Sequence, residues 1–267
     1  MSKSNQVVPS LLKEAGQRGI LSTTSLQTLN ALDLGTAIQD ALGVSADDIQ
    51  ASEVFLLSLL VDDSSSIRFG NNTQNMRDAY NLILEAQSES KSEDDFLVHV
   101  RMLNSGILVP YVVLREAPRL DTQNYNPQGG TPLYDRAIEL LGTVVAKERE
   151  FKRQGVPVRT YSVIISDGND ESSSRHAADV ANLVRDMTNS EEHNHIVAAW
   201  GVNDGATDFQ RVFREIGVPD QLILTSGSDK HSIRQTAGVI SKSVKMASQT
   251  SAGFSKTFAG GFGGSAP

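Results

Sequence analysis

The chain has 267 residues and a formal net charge of −8, from 24 basic and 32 acidic side chains. That balance argues against a nucleic-acid partner or an anionic lipid surface, since both need a basic face. The absence of cysteine removes disulfides, thiolate nucleophiles and cysteine-ligated zinc. The first residues contain no signal-peptide core, and the most apolar run, Val54 to Val61, is too short to span a bilayer. The expectation is a soluble, cytoplasmic protein with no membrane segment, long enough to bury a core without staples.

Residues 1–52 form an N-terminal extension rich in Ser, Thr, Gln and Leu. Two stretches in it, Pro9–Gln17 and Asp33–Leu42, have helical spacing, with Leu34, Ile38 and Leu42 on one face. Neither is long enough to stand alone, so the extension must pack on something. From residue 53 to 247 a regular rhythm follows. Val54–Val61 reads as a strand buried on both faces, and Asn75–Glu89 as a helix. Phe96–Leu103 and Ile107–Leu114 are strands joined by Asn104-Ser105-Gly106, a connection short enough for an antiparallel hairpin. Pro110 puts the second of them at a sheet edge.

Pro132 to about Phe151 reads as a long helix with Leu133, Ala137, Leu140, Leu141 and Val144 on its apolar face. Thr160–Ile165 is a buried strand, Arg175–Met187 a helix and His195–Trp200 a strand. A short helix around Phe209–Ile216, a strand at Gln221–Thr225 and a helix at Ser228–Met246 complete the series. Strand and helix alternate throughout, so the fold class is α/β with helices on both faces of a mostly parallel sheet. Residues 248–267 form a Gly/Ser-rich tail with Phe254, Phe258 and Phe262, expected to be disordered, with a docking role for the phenylalanines as the sharper reading.

In such folds sites gather at the carboxyl ends of strands. Three loops there offer chemistry: Asp62-Asp63-Ser64-Ser65-Ser66, Gly129-Gly130-Thr131-Pro132, and Ser166-Asp167-Gly168-Asn169-Asp170. Asp62, Ser64, Ser66, Thr131 and Asp167 are all oxygen donors, which suit Mg²⁺, Mn²⁺ or Ca²⁺. The glycine pair lets the second loop approach closely.

Asp62-x-Ser64-x-Ser66, Thr131 after Gly-Gly, and Asp167-Gly168, in that order, resemble the metal-ion-dependent adhesion site of von Willebrand factor A (vWA) domains. The resemblance covers about residues 53–247 and implies a Rossmann-like, doubly wound sheet with one antiparallel edge strand. It implies that Ser64 and Ser66 bind a cation directly, with Asp62 and Asp167 acting through water or orienting the other ligands. Thr131 would bind directly when a ligand is engaged. Such a site takes a partner's Asp or Glu carboxylate at the open position and cleaves no bond. Ala198-Ala199-Trp200-Gly201-Val202, Ala206-Thr207-Asp208-Phe209 and Ser243–Gln249 are similar to short stand-alone bacterial members of the tellurite-resistance-associated type. These imply an adaptor working beside a kinase, phosphatase or AAA+ ATPase in a stress-response, signalling or defence system. Asp63 and Ser65 depart from the small residues frequent at their positions, so Asp63 either points away or adds negative charge; Asp170 raises the same question.

Other readings stand beside this one. Asp62 and its serines also suit a turn, Thr131-Pro132 a helix N-cap with Pro at the first helical position, and Asp167-Gly168 a turn. A metal-dependent phosphatase or hydrolase would use Asp62 or Asp63 as nucleophile, but no Lys or Arg at a strand end offers to neutralise a transferring phosphoryl group. The first strand is not followed by a glycine-rich dinucleotide or phosphate loop. His193 and His195 read as surface residues entering a strand. On a sharper reading Asp47 and Asp48 would close the metal site from within the chain, against the simpler reading of a helical extension covering the sheet.

Overall fold

The computed structural model describes residues 7–31, 33–68, 72–88, 95–190, 192, 194–202, 205–249 and 261–262. Six strands make one sheet: β1 (Val54–Val61), β2 (Phe96–Met102), β3 (Ile107–Val113), β4 (Val158–Ser166), β5 (His195–Val202) and β6 (Ile223–Ser226). Their order is β3-β2-β1-β4-β5-β6. All neighbours are parallel except β2 and β3, which form the expected antiparallel hairpin at one edge. β1, β2, β4 and β5 are buried along their whole length, as their unbroken apolar character requires.

On one face lie α4 (Asn72–Glu85) and α8 (Lys230–Gln249), packed against each other. On the other lie α5 (Leu133–Arg153) and α6 (Ala177–Asn189), with α7 (Phe209–Glu215) beside α6. The extension supplies α1 (Val7–Gln17), α2 (Thr23–Leu29) and α3 (Leu34–Ala41), an additional layer outside α5 and α6. Val8, Leu11, Leu12, Leu29, Leu34 and Ile38 join the same buried apolar cluster as the sheet. The sequence signals place α1 and α3 but not α2, a polar heptad held by the Ser22 cap and by Ser25 donating to Asp186 at 2.6 Å.

The extra layer explains why α5 departs from its one-sided pattern. Glu139, Lys147, Glu148 and Arg149 are buried along with its apolar stripe, because helices cover both sides. Each is matched by a partner. Arg101 on β2 pairs with Glu139 at 2.5 Å and donates to the Ala37 carbonyl of α3 at 2.9 Å. Lys147 pairs with Glu150 at 2.9 Å and donates to the Val44 carbonyl.

The extension also reaches the β3 edge. Val44 N donates to Tyr111 O at 2.8 Å. Gly43, at φ +60°, comes so close that a Cβ there would sit 2.0 Å from that oxygen. Asp47, whose Oδ1 accepts from Gln154 beyond the C-terminus of α5, lies at the amino ends of the strands. Asp47 and Asp48 therefore sit at the wrong end of the sheet to close a site at the carboxyl ends.

Among the described residues no helix is long and apolar enough to cross a membrane. Of the tail, α8 takes residues up to Gln249, and Gly261 and Phe262 lie against the domain, Phe262 packing on the core and Gly261 approaching Gln221. Phe254 and Phe258 lie outside the described residues, as does His193. His195 is not on the surface: it is fully buried, its Nδ1 2.8 Å from Thr160 Oγ1 and its Nε2 3.8 Å from Glu148. Burial lowers its pKa to about 4.

Candidate metal centre

β1 and β4 are the central neighbours, and the chain crosses from β1 to β2 on one side and reaches β4 on the other. The crevice beyond their carboxyl ends is the switch point of a doubly wound sheet. Asp62 follows β1 directly, and Asp167 follows β4. The register pairs Val61 with Ile165, so both carboxylates emerge side by side.

Asp62 is fully buried and both its oxygens are engaged. Oδ1 accepts from Ser64 N at 2.8 Å; Oδ2 accepts from Ser166 Oγ at 2.8 Å and Asp167 N at 3.1 Å. Its backbone carbonyl accepts from the buried Tyr125 hydroxyl at 2.5 Å. Asp62 thus ties the first loop to the third. Ser64 and Ser66 have their hydroxyl oxygens 2.8 Å apart. Ser66 Oγ donates to Asp167 Oδ1 at 2.7 Å, and Ser64 Oγ lies 3.4 Å from the same oxygen.

Thr131 is buried, and a Cβ placed on Gly168 would lie 3.9 Å from its hydroxyl, so the Thr131 oxygen stands beside the loop that carries Asp167. Of the five sequence-predicted ligands, Ser64, Ser66 and Asp167 are in mutual contact, Asp62 supports them and Thr131 borders them. Thr131 is not the N-cap of α5. Pro132 holds that position and the helix starts at Leu133. The free amides of the first turn are met from the third loop: Tyr134 N donates to Asp170 Oδ1 at 3.1 Å and Asp135 N to Ser173 Oγ at 3.0 Å. That is the work of Asp170, whose carboxylate also accepts from Ser173 N and Oγ.

Asp63 points away from the ligand hydroxyls. It is 1% exposed and accepts from Asn104 N at 2.7 Å, Ser105 N at 2.9 Å and Ser105 Oγ at 2.5 Å. Sequence reasoning missed Asn104, Ser105, Tyr125 and Ser166 as supports. The signals were the hairpin turn at 104–106 for Asn104 and Ser105 and the place of Ser166 at the head of the third loop; Tyr125 had none.

Burial, reinforced by the neighbouring Asp62 charge, pushes the Asp167 carboxyl up to about 7. Among the described residues, no Lys, Arg or His forms an ion pair with Asp62, Asp63 or Asp167. No group of three or more His, Cys, Asp or Glu among them is arranged to hold a metal. A cation here would therefore rest on hydroxyls as much as on carboxylates. The donor set fits one: two adjacent buried carboxylates whose repulsion a cation relieves, and hydroxyl oxygens gathered against one of them.

No protein-family model matches the sequence, and no curated protein matches it. Solved structures do match in fold. The pilus adhesin SpaC from Lactobacillus rhamnosus GG, in its open conformation, aligns with 74% of this chain and 30% of its own at 13% identity and a TM-score of 0.53. Proximal thread matrix protein 1 from the mussel byssus aligns with 71% of this chain and 48% of its own at 15% identity and a TM-score of 0.48. Another structure of that protein is described as having a zinc-occupied MIDAS motif. The VWA domain of SpRpn10 aligns over 93% of its length and 68% of this chain, at 10% identity and a TM-score of 0.44. The chain spans less than half of the adhesin and of the thread protein. At such identities the likeness to the adhesin is one of fold alone. Strand order, hairpin edge and helical layers together make this a doubly wound α/β fold with one antiparallel edge strand, of the kind that the sequence resemblance implies.

Proposed function

We propose that the chain is a divalent-cation-dependent protein-binding module that recognises an Asp or Glu on a partner. The observation that carries this reading is the pairing of buried Asp62 and Asp167 with hydroxyl oxygens and, among the described residues, no cationic side chain bonded to them. Ser64 and Ser66 would hold the ion directly, Thr131 would complete the set, and Asp62 and Asp167 would orient them. Mg²⁺ or Mn²⁺ suits so small a cluster best, with Ca²⁺ as the larger alternative. Bound there, the ion keeps much of its charge, because its direct ligands are mostly neutral, and offers one position to a carboxylate.

Arg68, exposed two residues beyond Ser66, donates through Nε to the Pro127 carbonyl and so ties the first loop to the chain that leads into Gly129-Gly130-Thr131. By its resemblance to tellurite-resistance-associated bacterial proteins, the module would act in the cytoplasm as an adaptor or scaffold. Its partner there would be a kinase, phosphatase or AAA+ ATPase in a stress-response, signalling or defence system.

A binding role, not an enzymatic one, is favoured by the state of the two candidate nucleophiles. Asp63 is sealed by donors from Asn104 and Ser105, and both oxygens of Asp62 are occupied by donors. A nucleophile needs an accessible lone pair and a positive group facing the leaving oxygen.

Calorimetric titration of Mg²⁺ and Mn²⁺ into metal-stripped protein tests the reading, with Asp62→Ala and Ser64→Ala as controls. Binding in the native sequence that both variants abolish is expected. Equal binding by the variants would overturn it, as would metal-dependent turnover of an aryl phosphate.

A further inference from the structure

The loop that carries Thr131 is gripped by the β2–β3 turn, through residues that touch no predicted ligand hydroxyl. Asn104 Nδ2 donates to the Gly130 carbonyl at 2.7 Å, one residue before Thr131. Asn104 is itself fixed, because its backbone N–H donates to Asp63 Oδ1 at 2.7 Å while Ser105 N and Oγ hold Asp63 Oδ2. Asp63 closes the circuit through its backbone. Its carbonyl accepts from Gln128 N at 2.6 Å, and the next-door Ser65 N donates to Gly129 O at 3.1 Å. The fit is tight: a Cβ on Gly129, which stands at φ +82°, would lie 2.5 Å from Asn104 Oδ1. On its far side Thr131 is held by Glu171 N, which donates to its carbonyl at 3.0 Å.

We propose that Asp63 and Asn104 are positioning residues that set the Thr131 hydroxyl in one place relative to Ser64 and Ser66, so that cation affinity is tuned from the β2–β3 turn. The inference rests on the cation-binding reading above and adds to it a relay from Asp63 through Asn104 and Gly130 to Thr131. It gives the extra acid of the first loop a use. The negative charge of Asp63 is spent on two backbone N–H groups, a hydroxyl and, at 3.4 Å, the Asn104 side-chain amide, so it organises the turn instead of crowding the cation. A turn held this way leaves Asn104 no freedom to release Gly130. Thr131 is then presented in a fixed position and does not have to be recruited when a ligand arrives.

The test is Mn²⁺ titration of the full chain, following calorimetric heat and the electron spin resonance of free Mn²⁺, with thermal unfolding in EDTA alongside. The variants are Asn104→Ala, Thr131→Ala, the double variant, and the gentler Ser105→Ala, which removes only the hydroxyl donor to Asp63 from an exposed side chain. Loss of one side-chain hydrogen bond that orders a ligand is worth about fivefold in affinity. Asn104→Ala is therefore expected to weaken Mn²⁺ binding about fivefold in the native background and not at all beside Thr131→Ala. Ser105→Ala should move affinity the same way by a smaller factor. Equal Mn²⁺ binding by Asn104→Ala and the native chain overturns the relay. So does an equal loss in both backgrounds, which is the mark of a general structural role. Absence of Mn²⁺ binding in the native chain would overturn the cation reading itself, and the relay with it. Binding that Ser64→Ala abolishes and Asn104→Ala leaves intact would remove the relay alone.

Discussion

Replacing Arg101 by alanine asks whether the N-terminal helices and the sheet unfold as one unit. The guanidinium is buried in β2 and bridges two elements: it pairs with Glu139 of α5 at 2.5 Å and donates to the Ala37 carbonyl of α3 at 2.9 Å. Removing one member of a buried pair costs about 3–5 kcal/mol because the other charge stays behind. Here Arg136 still holds the second Glu139 oxygen at 2.6 Å, which argues for the lower end. The stranded Ala37 carbonyl adds about 1 kcal/mol or more. A loss of about 4 kcal/mol is a large part of the 5–15 kcal/mol typical of a folded domain. At a urea m-value of about 3 kcal/mol/M it moves the midpoint by about 1.3 M. Two probes read different regions. The single tryptophan, Trp200, is buried in β5 and reports the sheet, while far-UV circular dichroism is dominated by the helices. Both curves should shift together. A shift below about 0.5 kcal/mol would refute the importance of the bridge. Loss of helix ahead of the Trp200 transition would refute the shared unfolding. The paired variant Arg101→Met with Glu139→Leu should recover most of the loss, since apolar replacement of both partners is close to neutral.

Acid should destabilise the protein well above the range in which carboxylates titrate. Burial lowers the pKa of His195 to about 4 and that of His99 to about 3, so the folded state keeps both neutral while the unfolded chain protonates them below about 6.5. Their contribution is complete above pH 6.5 and drains as pH falls towards 4. The raised Asp167 carboxyl acts in the opposite sense, since the folded state takes up its proton near pH 7 while the unfolded chain stays ionised down to about 4, so it adds stability as pH falls through this range. The histidine effect is therefore read in the Asp167→Asn variant, whose urea unfolding at pH 5 should give a stability about 3–4 kcal/mol below that at pH 7.5; a flat profile in that variant would count against the burial of these imidazoles. Gly43→Ala should cost at least about 2 kcal/mol, because the residue sits at positive φ with the Tyr111 backbone in the way of a Cβ; an unchanged melting temperature would deny the β3 edge contact. Leu12→Ala, at 1% exposure in α1, should cost about 2–5 kcal/mol in the same Trp200 assay, whereas an exposed α1 would lose almost nothing.

The sheet was legible because its strands carry their own signal. Unbroken apolar runs such as Val54–Val61 can be satisfied only between two helical layers, and Pro110 and the 104–106 turn mark the edge hairpin. What escaped were features whose cause lies far away in the chain. The polar helix α2 forms because Ser22 and Ser25 find Asp186, more than 160 residues on. His195 looks like a surface residue entering its strand until β4 supplies Thr160 as its buried neighbour. At the site the three loops could be read because each leaves a strand or opens a helix. The role of Asp63 could not, since its hydrogen bonds run to residues 41 and 42 positions later. The alternative reading of Thr131 as a cap fails for a related reason: Asp170 and Ser173 cap α5 from another loop, and local pattern does not reveal that.

The helix that begins at the site is the one the extension covers, and this links two regions that the sequence presents as separate. The first turn of α5 follows Thr131, and its Asp135 accepts from Ser174 N at 2.9 Å and Arg175 N at 3.0 Å. Arg175 in turn grips Asp33, at the head of α3, at 2.7 Å. Further along, Glu139, Lys147 and Arg153 of the same helix bind Arg101, the Val44 carbonyl and Glu14. The charges of α5 find their ionic partners mostly on β2 and on α5 itself. What α1–α3 and the segment after them add is cover for those charges, the Val44 carbonyl for Lys147, Glu14 for Arg153 and Asp33 for the Arg175 that steadies the loop at the helix N-terminus. The position of the Thr131 loop therefore depends on residues 7–48 as well as on the sheet. On the proposed function, a partner engaging the loops at the carboxyl ends of β1 and β4 would work against this packed layer.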